Sequence, residues 1–187
     1  MVEVEKLNIE LNVTESEICD VEFSEPILTI CDKINIFYAP DSLEKFGYSI
    51  AMIGRSFRDI PEIMVDDYFF ALSDECKKFV LLHEIGHYVL GHLEDKPRTL
   101  KEYISCFLDK ILPNRFPIEE QEADYYAYNK LDEENKALVD IYYDEIHEAC
   151  LSQMIVEHIG SSKSLNKKVK QLEKDFSIRK AALYNTL

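Results

Sequence analysis

Glycine and proline are scarce in this chain, five and six among 187 residues, too few for an architecture dominated by linkers. Long apolar runs are absent, and none approaches the roughly 20 residues that a membrane-spanning helix needs. The opening residues, Met1-Val2-Glu3-Val4-Glu5, lack both the basic and the apolar stretch of a secretory signal, so a cytoplasmic protein without a membrane anchor is expected. No CxxC pair occurs. The five cysteines, Cys19, Cys31, Cys76, Cys106 and Cys150, are odd in number and scattered, which excludes a disulfide framework and a cysteine-based zinc knuckle. They read as buried reduced thiols. Positive charge is also short: 21 Lys and Arg stand against 36 Asp and Glu, for a net charge of −15. Such a chain repels phosphate backbones and anionic lipid, so direct nucleic-acid binding is not expected. There is no internal repeat and no low-complexity segment.

What is present is globular composition, 47% hydrophobic and 30% charged, at a length that suits one domain over residues 1–187. Residues 1–70 read mainly as β. Apolar residues alternate from Val2 to Val13, and short apolar runs cover Ile27 to Ile30, Ile34 to Tyr38, Tyr48 to Ile53 and Ile63 to Val65. Pro61 beside the last run points to an edge strand there. From Ser73 the period becomes helical. Ser73 is a candidate N-cap, followed by Asp74 and Glu75 in the first turn, and the pattern predicts a helix that Pro97 stops. Thr99 and Glu102 form a capping box for a second helix that ends before Pro113. Pro117 opens a third, to about Leu131; a fourth spans roughly Glu133 to Ile159, with Gly160 after it. A fifth runs from about Leu165 to Tyr184, with Leu165, Val169, Leu172, Phe176 and Leu183 on one face. Strands first and helices after predict an α+β fold: a small N-terminal antiparallel or mixed sheet packed on helices at 73–131, with a helical extension over 132–187. The last helix is basic in an acidic chain, and is expected to be a solvated face or to dock on the chain's own acidic regions.

The segment His83-Glu84-Ile85-Gly86-His87 carries the chemistry. On a helix that turns about 100° per residue, His83 and His87 lie about 40° apart, so their imidazoles can converge on one ion. Glu84 stands about 60° from His87, where it can reach a water on that ion without ligating it. Two neutral imidazoles holding Zn2+, with a carboxylate as general base, is the logic of HExxH. Catalytic zinc needs a third protein ligand and an open fourth position. His92 is nine residues after His83 and, on a continuous helix, about 140° from His87, the wrong face. The acidic start of the third helix offers better candidates. Glu120 and Asp124 share a face at i, i+4, so that one can ligate while the other holds the distal N–H of a histidine. Glu122 is the alternative third ligand.

The stretch from Phe79 through His83-Glu84-Ile85-Gly86-His87 to Gly91-His92 resembles the zinc helix of the ImmA/IrrE-type metallopeptidases. Glu120-Gln121-Glu122-Ala123-Asp124-Tyr125-Tyr126-Ala127 is similar to their second motif, E-x-x-A-[ND]-x-F-A. That register places the third ligand at Glu120. The resemblance covers about residues 30–131 and implies a zincin-type core and a single-zinc cytoplasmic endopeptidase of the gluzincin type. Members are often encoded by phages or mobile elements, or act in stress responses, and typically cleave a DNA-binding repressor; for this chain the expected substrate is a separately encoded repressor. A non-proteolytic sensor or protein-binding module on the same fold is the alternative. Where the family has L-L-M-P after the second motif, this chain reads Tyr128-Asn129-Lys130-Leu131. A peptide substrate is expected to pair along the edge Ile63 to Val65, and Tyr88, Tyr125 and Tyr126 are candidate oxyanion donors.

Overall fold

A computed structural model of the chain describes residues 28–30, 34–39, 50–55, 61–93, 117–157 and 162–186. The expected strand before Val13, the capping-box helix after Thr99, Gly160 and three of the cysteines lie outside these residues. The elements in chain order are β1 (Leu28–Ile30), β2 (Ile34–Tyr38), β3 (Ala51–Arg55), β4 (Pro61–Val65), α1 (Asp67–Phe70), α2 (Asp74–Val89), α3 (Ile118–Lys130), α4 (Glu133–Lys136), α5 (Val139–Glu157) and α6 (Ser162–Thr186). The fold is α+β, and no described helix is long and apolar enough to cross a membrane.

The four described strands form one mixed sheet in the order β1-β2-β4-β3. β1 and β2 are antiparallel, β2 and β4 parallel, β3 and β4 antiparallel. The register sets Ile36, Ile63 and Ile53 opposite one another across three strands, and all three are buried. Such a row of β-branched cross-strand neighbours pins the register, because a slip of one residue would turn every isoleucine to the other face.

This topology corrects one expectation. Ile63 to Val65 is not an edge: β4 is paired on both sides, and β3 is the edge strand of the described sheet. Pro61 is tolerated because it is the first residue of β4, where a missing N–H costs least.

α2 is the central helix. From Cys76 to Gly86 every residue but Lys78 is buried, as in a helix covered nearly all round rather than an amphipathic surface helix. Its start is fixed twice. Ser73 Oγ accepts from Cys76 N–H at 3.3 Å and donates to Glu145 of α5, whose carboxylate also accepts the Ser73 N–H at 2.9 Å. The helix stops well before Pro97. Gly91 has φ 75°, its N–H reaches Tyr88 O, and His92 N–H reaches His87 O at 2.9 Å. This is a Schellman cap, with glycine at the left-handed position.

Two more boundaries differ from the periodicity. Pro117 is the residue before α3 rather than its first. The expected fourth helix is divided into α4 and α5, because Asp132 caps a single turn that closes on Ala137. Cys76 and Cys150 are buried thiols, and burial pushes the Cys150 thiol up to about 12.

Candidate metal centre

The site is made where α2 and α3 touch. Gly86 is the point of contact: a Cβ there would lie 3.2 Å from the Ala123 Cα and 3.1 Å from a Tyr126 ring carbon. A glycine between the two histidines therefore lets the α3 backbone come close enough for Glu120 to reach them. His83 Nε2 lies 3.1 Å from His87 Nε2. Glu120 Oε2 is 3.3 Å from His83 Nε2, and its Oε1 is 3.5 Å from His87 Nε2. One ligand atom from each residue lies within 4.8 Å of the others.

These separations suit a metal. Four donors set tetrahedrally at about 2.05 Å from zinc stand roughly 3.3 Å from one another. Two imidazoles and one carboxylate are the donor set of a catalytic zinc site with one position left for water. The residues present thus fit a metal ion such as zinc, with His83, His87 and Glu120 as the candidate ligands.

The electrostatics of the metal-free residues point the same way. Burial disfavours a charged His83 and so does Arg179, but Asp124 and Glu120 outweigh both and raise its pKa to about 9. Desolvation would raise the Glu120 carboxyl; bonds from His83 and His87 instead hold it far below the usual carboxylate range. The cleft therefore holds a fixed anion facing two nitrogens, and a cation there satisfies all three.

Glu84 follows His83 on α2 and is buried. Its Oε2 accepts the backbone N–H of Ile53 from β3 at 2.8 Å. The edge strand thus anchors one oxygen of the expected general base, and Ile50, Ala51, Met52 and Ile53 line the same cleft of about 410 Å³ as His83, Glu84, His87 and Glu120. Phe79, Val80, Ile146 and Cys150 give that cleft an apolar wall.

Each histidine is held from behind. With its proton on Nδ1, His83 donates to Asp124 Oδ1 at 2.8 Å, leaving Nε2 for the ion. Asp124 is only 1% exposed. Arg179 of α6 grips it with two bonds of 2.5 Å, Nε to Oδ2 and Nη2 to Oδ1. Burial alone would raise the Asp124 carboxyl; the Arg179 guanidinium, with His83, brings it down to about 2. On the other histidine, His87 Nδ1 lies 3.0 Å from His92 Nδ1, and His92 Nε2 lies 3.1 Å from Glu122 Oε2.

The candidates therefore separate by place. Glu120 faces the two Nε2 atoms, whereas Glu122 is turned to His92 and away from the ligand cluster. Asp124 stands behind His83. His92 is not on the far face of the helix, as a continuous helix would put it, because the chain reverses at Gly91. None of Tyr88, Tyr125 and Tyr126 lines the cleft: Tyr125 is exposed, and Tyr126 packs on Gly86. No protein-family model, curated protein or solved structure matches the chain, so the geometry of these side chains and the two sequence motifs are what bear on function.

Arg179 and the Ile53 N–H are the participants that spacing alone did not bring forward. Arg179 had a signal. The apolar stripe of α6 runs Leu172, Phe176, then Leu183, and the step between the last two is occupied by an arginine on the face that packs inward. A cation at a core position needs a buried anion opposite it. The Ile53 contact had no signal, since any backbone N–H could supply it.

Proposed function

We propose that this chain is a zinc-dependent endopeptidase of the ImmA/IrrE type, working in the cytoplasm on a regulatory protein, most simply a separately encoded DNA-binding repressor. The observation that carries this reading is the convergence of His83, His87 and Glu120 at zinc-like spacing, with Glu84 anchored beside them. Bound there, zinc would polarise the scissile carbonyl and acidify water in the open position. Glu84, with Oε2 fixed by Ile53, would take the proton of the attacking water at its other oxygen. It would then pass that proton to the departing amine nitrogen as the peptide bond breaks. Asp124 and His92 hold the imidazoles in the tautomer that presents Nε2. A substrate peptide would lie along β3, the described edge strand beside the cleft, rather than along β4.

Glu84→Gln decides the matter. The variant is expected to retain one zinc per chain, read by atomic absorption, and to lose cleavage of a candidate repressor that the wild type cuts in a chelator-sensitive way. A wild-type protein that binds no stoichiometric zinc overturns the reading. Cleavage that survives in Glu84→Gln removes Glu84 from its role.

A further inference from the structure

We infer that Arg179 is a positioning residue of the metal centre, so that the C-terminal helix α6 is a structural part of the site and not an appendage. The inference rests on the reading of His83, His87 and Glu120 as metal ligands, and extends it to a residue outside that set.

The geometry is specific. Asp124 has to keep Oδ1 aimed at His83 Nδ1, or the imidazole is free to swing away from His87 and Glu120. A carboxylate held by one bond can rotate about its Cβ–Cγ axis. Arg179 removes that freedom, because its Nε and Nη2 form a planar fork on both oxygens. Nη2 lies 3.1 Å from His83 Nδ1. Both are donors, so this is no bond between them; the two N–H groups share Oδ1. The guanidinium is itself located, with its carbon 5.5 Å from the Tyr143 ring centroid of α5. Phe176 and Leu172, on the same stripe of α6, pack against the core, and Leu183 is buried in it. Lys180 reaches Asp144 of α5 at 2.5 Å. Helix docking therefore delivers one cation to a single buried anion.

The charge count agrees. The buried Asp124 carboxylate would add a second negative group beside Glu120, and Arg179 offsets it locally, leaving the ligand set with the one negative charge of Glu120 and two neutral imidazoles. Lysine could supply the charge but not the fork.

The test measures zinc affinity by chelator competition on the full chain, with the ligand-field bands of the cobalt(II)-loaded protein and far-ultraviolet circular dichroism as companions. Arg179→Gln and Asp124→Asn are each expected to weaken zinc about 10- to 100-fold, the usual effect of losing such an outer partner. The double variant is expected to be no weaker than the worse single one, since both remove the same support. Arg179→Lys should fall between wild type and Arg179→Gln and shift the cobalt bands while the fold is kept. If Arg179→Gln fails to fold, Arg179→Lys decides alone. Zinc affinity and cobalt bands unchanged in Arg179→Lys, or losses that simply add in the double variant, overturn the inference while leaving the zinc reading intact. A wild-type chain that binds no zinc overturns both.

Discussion

Two arms support the proposed metal ligands, and they are built differently. Behind His83 runs a buried arm, Asp124 then Arg179. Behind His87 runs an outer arm, His92 then Glu122. The carboxylate of the first is almost fully buried, whereas the Glu122 side chain is 57% exposed. A carboxylate in water needs no countercharge. One taken out of water does, since an unpaired buried charge costs several kcal/mol. That difference explains why, among the described residues, the inner arm is the one that recruits a cation, and why the cation comes from a third helix. The outer arm is local, built by a helix cap and a neighbouring turn of α3; the inner arm requires the last helix of the chain.

The sharpest way to break the comparison is to truncate the end of each arm. Arg179→Ala is expected to destabilise the metal-free protein by about 3 kcal/mol, the lower end for a broken buried pair because His83 still bonds Asp124. Urea unfolding measures it, and adding Asp124→Asn should recover part of the loss. Glu122→Ala, which removes a carboxylate mostly in water, is expected to cost under about 1 kcal/mol. Equal losses from the two truncations would erase the distinction between the arms.

An intermediate effect comes from pH. His83 without metal titrates at about 9, above its ordinary 6.5. The folded state then binds its proton more tightly than the unfolded one. The stabilisation is fully present below pH 6.5 and is lost as pH rises through about 9. Chelator-treated protein should therefore lose stability to urea between pH 6.5 and 9.5. The zinc-loaded protein should not show that loss, because the ion occupies Nε2. Against its burial, the pairing of Asp124 with Arg179 and His83 acts at the other end of the scale. Its contribution is present above the ordinary carboxylate value and is lost as pH falls through about 2.

The smallest expected effect concerns the outer arm in zinc binding. His92→Ala should weaken zinc about tenfold, at the low end for an outer partner. Zinc affinity after Glu122→Ala should stay within a few-fold of wild type, whereas Glu120→Ala should abolish stoichiometric zinc. Loss of zinc in Glu122→Ala with zinc kept in Glu120→Ala would reverse the assignment of the third ligand.

The legibility of this site follows the range of the interactions. His83, Glu84 and His87 share one helix, so the angle per residue alone shows that they can converge. Glu120 and Asp124 share another, and their i, i+4 spacing is local too. The place of His92 is a local matter as well. The helical period extends to Pro97, whereas Gly91, the residue able to adopt φ 75°, marks the cap. The Schellman turn sets the residue after that glycine beside the one at His87, so the two imidazoles meet. The strand run at Ile63 to Val65 was legible as β, but its neighbours were not. Whether a strand is central or at an edge depends on which segments pair with it, and Pro61 at a strand start fits either place.

The order of residues by itself determined which side chains could ligate, which acid stands beside them, and that a glycine sits between the histidines. These are consequences of helical geometry within a few turns. Tertiary structure alone decided that β3 flanks the cleft and fixes Glu84, that α2 and α3 close on Gly86, and that Arg179 reaches Asp124 across 55 residues. Such contacts depend on how whole elements pack, and no local spacing encodes that packing.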